Sequence, residues 1–180
     1  MVKVSIVLPV YNASTTIKRM LDSILAQTLH EFEVLMIDDG STDESGRILD
    51  EYSAKDKRFK VFHKQNEGVA MARQMGVDNA KGEFCIHADA DDWMDSTMLE
   101  ELYAKAKAED ADVVIADYLV CSKQGETVCK QQPSELSPEQ VLQDMFDNKL
   151  FGALWHKLVR TDLYKKYKAK FFGSGAEVRG

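Results

Sequence analysis

The chain has 180 residues, with 30 acidic against 23 basic side chains for a net charge of −7, and it is 44% hydrophobic and 29% charged. A chain of this length buries roughly 70% of the surface it exposes when unfolded, which fits one domain with a sizeable core and excludes disorder, collagen and coiled coil as overall descriptions. The acidic balance speaks against a nucleic-acid partner, because phosphate backbones are bound mostly through clustered Lys and Arg. No apolar run reaches the ~20 residues of a membrane span.

Val2 to Val10 is a nearly continuous β-branched and apolar run, the pattern of a strand buried on both faces. Lys3 alone precedes its apolar stretch and no small-residue cleavage site follows, so it reads as a strand and not as a signal peptide. Ser14 is placed to cap a helix carrying Ile17, Met20, Leu21, Ile24 and Leu25. Phe32 to Ile37 is the second strand, and Ser41 with Glu44 forms a capping box for the helix of Ile48, Leu49 and Tyr52. Phe59 to His63 is a third strand, Gly68 to Ala80 a helix, and Glu83 to His87 a fourth strand. A helix around Met98 to Tyr103, capped at Asp95 or Ser96, leads to a fifth strand near 112–117. Tyr118 to Cys121 pairs with Thr127 to Lys130 as a hairpin. Ser137-Pro138-Glu139-Gln140 opens a further helix, Ala153 to Arg160 reads as extended, and Thr161 starts a last helix.

This alternation implies an α/β fold with a mixed, mainly parallel sheet flanked by helices, in which ligands sit beyond the carboxyl ends of the strands. The residues at those ends are polar: Tyr11 and Asn12, then Asp38 and Asp39, then Asp89, Asp91 and Asp92. Three carboxylates within Asp89-Ala90-Asp91-Asp92 repel one another unless water or a cation screens them, and an all-oxygen set suits Mg²⁺ or Mn²⁺ shared with substrate phosphates. An exposed acidic loop before the cap at Asp95 is the plainer alternative. Either Asp38 or Asp39 could accept hydrogen bonds from a nucleoside, the other belonging to the turn at Gly40. Arg73, one turn into its helix, could reach the crevice. No GxGxxG follows a strand, and neither GxxxxGK[ST] nor GxSxG occurs. Cys85, Cys121 and Cys129, with four histidines, show no metal spacing and read as free thiols in a reducing compartment.

Five segments in order resemble glycosyltransferase family 2, whose fold is the Rossmann-related GT-A fold: Val4 to Asn12, Ile37 to Asp43, Asn66-Glu67-Gly68 with Ala72-Arg73, Ala80 to Phe84, and Asp89 to Trp93. Leu154 to Arg160 is similar to a segment of many bacterial members, with His156 where Asn is usual. The resemblance implies inverting transfer of a sugar from a nucleotide-diphosphate donor to a saccharide or lipid-linked acceptor, in cell-surface polysaccharide synthesis. It implies that Pro9, Tyr11 and Asn12 line the donor nucleotide site, that Asp39 binds the base with Asp38 nearby, and that Arg73 lies near the donor. Asp89 and Asp91 match the DxD motif, which touches the ribose and holds Mn²⁺ or Mg²⁺, with Asp92 as a further ligand.

The family's general base is usually a later aspartate in a Glu-Asp pair. No such pair follows Lys130, and Glu177 is the candidate at the end of the chain. Residues 1–180 are therefore expected to be a single GT-A-like domain, with a donor-binding half over 1–117 and an incomplete acceptor-binding half over 118–180. The expected location is the cytoplasm, with peripheral association at the inner face of the membrane. Two other functions compete: a nucleotide-sugar binding module without transfer, and a sugar nucleotidyltransferase, which would carry a Gly-rich basic loop that Val7 to Tyr11 lacks.

Overall fold

A computed structural model describes residues 1–171. The chain alternates β1 (Val4–Val10), α1 (Ile17–Leu25), β2 (Phe32–Asp38), α2 (Ser45–Lys55), β3 (Phe59–His63), α3 (Val69–Asn79), β4 (Phe84–His87) and α4 (Met98–Ala108). After β5 (Val113–Ile115) come the hairpin strands β6 (Tyr118–Ser122) and β7 (Gly125–Cys129), then α5 (Pro138–Phe146), β8 (Lys157–Arg160) and α6 (Thr161–Lys166). The main sheet has the order β3-β2-β1-β4-β8-β5. Its first four strands are parallel, whereas β8 runs antiparallel to both β4 and β5. The expected mixed, mainly parallel sheet is therefore present, and the β6-β7 hairpin stands apart as a second, two-stranded sheet.

Every residue of β1 and β2 is buried because helices cover both faces. Val4, Ile6, Leu8 and Val10 face Ile17, Met20, Leu21 and Ile24 of α1, with α2 and α4 completing that layer. Val7, Leu35, Ile37 and Cys85 point the other way, onto Ala72 and Val77 of α3 and Tyr164 of α6. The period-2 alternation of strand side chains assigns the two layers. At Gly76, α3 lies so close to β1 that an added Cβ would overlap the side chain of Val7.

Local capping differs from the sequence reading. Ser14 and Ser41 do not cap α1 and α2: the residues preceding these helices are Thr16 and Glu44, and neither makes a side-chain cap bond. The Ser14 amide instead donates to Asp43, and the Ser41 hydroxyl accepts from the Asn12 amide, so both serines join the loops after β1 and β2. Ser137 does cap α5, accepting from the Gln140 amide, with Pro138 in the first turn. Only Lys157–Arg160 of the expected extended segment is strand.

At the amino edge of the sheet, Glu33 is buried and its Oε1 accepts from the Ser5 hydroxyl (2.7 Å) and the Lys81 amide (2.7 Å), while Lys60 Nζ lies 2.5 Å from Oε2. Burial works to raise the Glu33 pKa, but the bonds from Lys60, Ser5 and Lys81 outweigh it and the net shift is downward. Its stabilising contribution is therefore present above the unfolded value near 4.5 and lost as pH falls through the folded one. Urea denaturation at pH 7 should show Glu33→Ala less stable by about 1–3 kcal/mol, the cost of leaving buried donors without an acceptor. The gap should narrow below pH 4.5, and equal stability at pH 7 would contradict this role.

Candidate functional site at the carboxyl edge of the sheet

The carboxyl ends of β1, β2 and β4 lie side by side, so Tyr11, Asp38, Asp39 and Asp89 share one edge. Strand order reverses between β1 and β4, which opens the crevice expected of a doubly wound sheet. Pro9, Val10, Tyr11, Asp39, Asn66, Gly68 and Val69 line a pocket of about 280 Å³ at the carboxyl ends of β1 and β2, closed by the segment that opens α3. Pro9, Tyr11 and Asp39 are thus brought together as expected.

The two adjacent aspartates diverge. Asp38 ends β2 and turns away from this pocket: Oδ1 accepts from the Ser41 amide (2.9 Å), and Oδ2 lies 2.8 Å from His63 Nδ1. Burial opposes ionisation of Asp38, yet the contacts with Ser41 and His63 hold its pKa below the usual value. Asp39 is almost fully buried, with Oδ1 accepting from Lys64 Nζ (2.8 Å) and the Glu67 amide (3.0 Å), and Oδ2 from the Gly68 amide (2.8 Å). It therefore fastens the segment that opens α3 while lining the pocket. Gly40 makes the intervening turn at a φ of 76°, with the Asn66 amide 2.8 Å from where a Cβ would stand. Asn12, at a φ of 48°, uses its side-chain oxygen to accept from the Thr42 amide (2.8 Å) and is not among the residues lining the pocket.

Arg73 does reach the crevice, pairing with Asp89 at 2.9 Å, and its Nε is buried without a partner. Asp91 and Asp92 carry no ion pair among the described residues, and Asp92 has a raised pKa, through burial first and then the charges of Asp91 and Asp89. No three His, Cys, Asp or Glu side chains among the described residues form a group that could hold a metal. Arg73 occupies Asp89, which leaves Asp91 and Asp92 as the uncommitted carboxylates. Glu177 lies outside the described residues.

Beyond Asp89 the crevice widens into a cleft of about 770 Å³. One side carries Arg19, Asp92 and Trp93; the other carries Tyr118 and its hairpin, with Phe151, Trp155 and His156. Arg19 Nη2 donates to the Asp91 carbonyl, and the guanidinium lies 4.6 Å from the Trp93 ring centroid. Across the cleft, the centroids of Tyr118, Phe151, Trp155 and His156 lie 4.9–6.0 Å apart. The buried Lys157 ammonium underlies this cluster and donates to the carbonyls of Phe151 (2.7 Å) and Ala153 (2.5 Å), with His156 Nε2 at 3.0 Å. Burial lowers the Lys157 pKa to about 8. Burial and then the Lys157 charge lower that of His156 to about 4.

Arg19, Lys64 and Lys157 were not among the residues singled out from sequence. Lys64 directly follows β3, so the rule that residues after each strand meet the crevice would have found it. Arg19 and Lys157 gain their places through contacts that no local spacing encodes.

His63 bridges Asp38 and Asp50, with Nε2 at 3.1 Å from the latter, and the hydrogen bonds to Asp38 and then Asp50 raise its pKa above 6.5. The imidazolium thus contributes stability that is fully present below pH 6.5 and lost as pH rises through the folded value. In denaturation experiments across that window, His63→Gln should lack the stability loss shown by the wild type. Parallel losses in both proteins would contradict the bridge.

The pattern that defines "Glycosyl transferase family 2" matches residues 5–168. A cholesterol galactosyltransferase of Borreliella burgdorferi is 33% identical over 91% of this chain and 49% of its own length. S. aureus TarS 1-349 superimposes with a TM-score of 0.76 at 26% identity, covering 96% of this chain and 51% of that one, and TarS in complex with UDP-GlcNAc gives 0.74 at 25%. The mannosyltransferase PcManGT from Pyrobaculum calidifontis, in complex with GDP-Man and Mn²⁺, shares the fold at a TM-score of 0.66 and 18% identity. The chain spans about half the length of the curated relatives it matches along most of its own length. With the family pattern running through nearly all the described residues on a GT-A-like sheet, this chain belongs to glycosyl transferase family 2.

Proposed function

We propose that the chain is the donor-binding portion of an inverting glycosyltransferase that moves a sugar from a nucleoside diphosphate to a saccharide or lipid-linked acceptor in cell-surface polysaccharide synthesis. One observation carries this reading: a pocket walled by Pro9, Tyr11 and Asp39 sits at the carboxyl ends of β1 and β2, on the same sheet edge as the Asp89 to Asp92 loop that follows β4 and the larger cleft that Asp89 and Asp92 line. The nucleobase would enter the pocket, the diphosphate would lie along the acidic loop, and the sugar would project into the cleft. TarS has been solved in complex with UDP-GlcNAc and PcManGT with GDP-Man and Mn²⁺, which supports a nucleotide-sugar donor and a divalent metal as the ligands of this reading. In this reading residues 1–117 bind the donor and residues 118–180 begin the acceptor side.

Pocket size and chemistry fit one nucleobase: Tyr11 is half exposed and offers a ring face, and Asp39 is a fixed acceptor for a base N–H. Lys64 and two backbone amides already hold Asp39, so it approaches a base without having to be ordered first. Arg73 orients Asp89 toward the crevice. Asp91 and Asp92 are the residues that would hold Mn²⁺ or Mg²⁺, since no salt bridge commits either carboxylate among the described residues and the charges of Asp91 and Asp89 outweigh the pull of Arg19 on Asp92. Such an ion supplies charge stabilisation for the departing diphosphate. Transfer also needs a base to take the acceptor proton, and Glu177 remains the proposed candidate.

Calorimetric titration with UDP should show tighter binding with Mn²⁺ than with EDTA, and Asp91→Asn should abolish the difference. Equal affinity under both conditions would remove the metal from the mechanism. Asp39→Asn, which keeps an amide oxygen for the α3 loop, should weaken UDP binding roughly 5- to 150-fold, the equivalent of about 1–3 kcal/mol. An unchanged dissociation constant would return Asp39 to its loop alone.

A further inference from the structure

We infer that the aromatic wall of the large cleft, Tyr118 with Phe151 and Trp155, is a stacking platform for an uncharged pyranose ring. This deepens the function proposed above and rests on it only for the identity of the neighbouring donor. The ring could belong to the acceptor or to the donor's own sugar, and the same chemistry serves either.

Three observations lead to a sugar. The rings form one contiguous cluster on a wall of a cleft of about 770 Å³, and Phe151 remains 47% exposed, so an apolar face is open to a ligand. Pyranose rings present C–H faces that pack on aromatic rings, with hydroxyls at the rim to meet polar groups. Such groups stand at the cleft in Asp92, Asp95 and Asp117, which gives the mixed apolar and hydrogen-bonding lining of a small-molecule site. The third observation is the support beneath the platform. Lys157, only 7% exposed, donates to the carbonyls of Phe151 and Ala153 and lies beside His156, fixing the segment that carries Phe151 and Trp155. Burying an ammonium is costly unless it is hydrogen-bonded. Here its bonds hold a loop in one conformation.

Charge selects among sugars. Among the described residues Arg19 is the one Lys or Arg lining the cleft; Asp89 and Asp117 are paired with Arg73 and Lys130, and Asp92 and Asp95 have no ion-pair partner. The carboxylate of a uronic acid or a sugar phosphate therefore finds no uncommitted cation beyond Arg19 and meets those two carboxylates. A long alkyl chain would have to desolvate those carboxylates.

The chain has only two tryptophans, Trp93 and Trp155, and both line this cleft, so intrinsic fluorescence reports on it directly. The wild-type protein would be titrated with methyl β-D-glucopyranoside, methyl N-acetyl-β-D-glucosaminide, glucuronic acid and decyl phosphate, each with UDP and Mn²⁺ present. UDP-GlcNAc would be compared with UDP alone. Saturable change with a neutral pyranoside indicates an acceptor-side ring; change with UDP-GlcNAc beyond that of UDP indicates the donor's ring; either supports the platform. Phe151→Ala and Trp155→Ala should each weaken that binding at least tenfold, with thermal unfolding confirming intact folds, and Phe151→Ala serves alone if Trp155→Ala does not fold. No saturable response to any neutral sugar, equal or tighter binding of glucuronic acid or decyl phosphate, or undiminished binding by the folded variants would overturn the inference. Calorimetry with UDP alone runs in parallel. UDP binding without a sugar response defeats the platform only, and a sugar response without UDP binding defeats the donor reading only.

Discussion

Negative charge gathered at one edge of the sheet is the constraint around which the loops after β2 and β4 are organised. Asp38, Asp39, Asp89, Asp91 and Asp92 all end or follow β2 and β4, the parallel strands on either side of β1. Two like charges 4 Å apart cost about 4 kcal/mol at an effective dielectric of 20, so such a cluster requires compensation. The chain supplies cations from neighbouring elements: His63 and Lys64 at the end of β3 take Asp38 and Asp39, and Arg73 of α3 takes Asp89. Each pair ties the end of one strand to another strand end or to α3, so charge compensation and loop geometry are one arrangement. Asp91 and Asp92 remain outside it. That imbalance is the physical ground on which a cation, and through it a diphosphate, is proposed to bind at this edge.

The two walls of the cleft differ in how they are supported. The donor side is backed by helices packed on both faces of the sheet and by Arg19, which reaches from α1 to the Asp91 carbonyl. The opposite wall is formed by the β6-β7 hairpin, whose strands pair with each other and with no other strand among the described residues, and by the segment before β8. Its neighbour α5 turns a polar residue inward: Asp144 is fully buried and accepts from Ser134 and Gln140, whereas Leu142 and Phe146 are exposed. Lys157 bonds to the carbonyls of Phe151 and Ala153 and so fixes the part of that wall that carries Phe151 and Trp155.

Much of this was legible in the sequence because it rests on local periodicity. The unbroken apolar runs Val4–Val10 and Phe32–Ile37 require cover on both faces, and alternation with helices then fixes a mainly parallel sheet and the edge where a ligand binds. What local patterns could not reveal were choices made by tertiary contacts. Ser14 and Ser41 have the residue type and spacing of caps, but bonds between the β1 and β2 loops claim them. Asp38 and Asp39 are adjacent and alike in sequence, and partners elsewhere distinguish them: Ser41 and His63 hold Asp38, whereas Lys64 and the amides of Glu67 and Gly68 hold Asp39 at the pocket. The extended character of Ala153 to Arg160 could not show that β8 would insert antiparallel between β4 and β5, since pairing partners are distant in the chain.

The most direct measurement is a crystal structure of the protein with UDP and Mn²⁺ bound. The base should lie against Pro9 and Tyr11 with a ring N–H within hydrogen-bond distance of Asp39, and the diphosphate should run along Asp89 to Asp92 with the metal on Asp91 or Asp92. A nucleotide seated elsewhere, or bound at this edge with its base outside the pocket of Pro9, Tyr11 and Asp39, would contradict the assignment of this edge as the donor site.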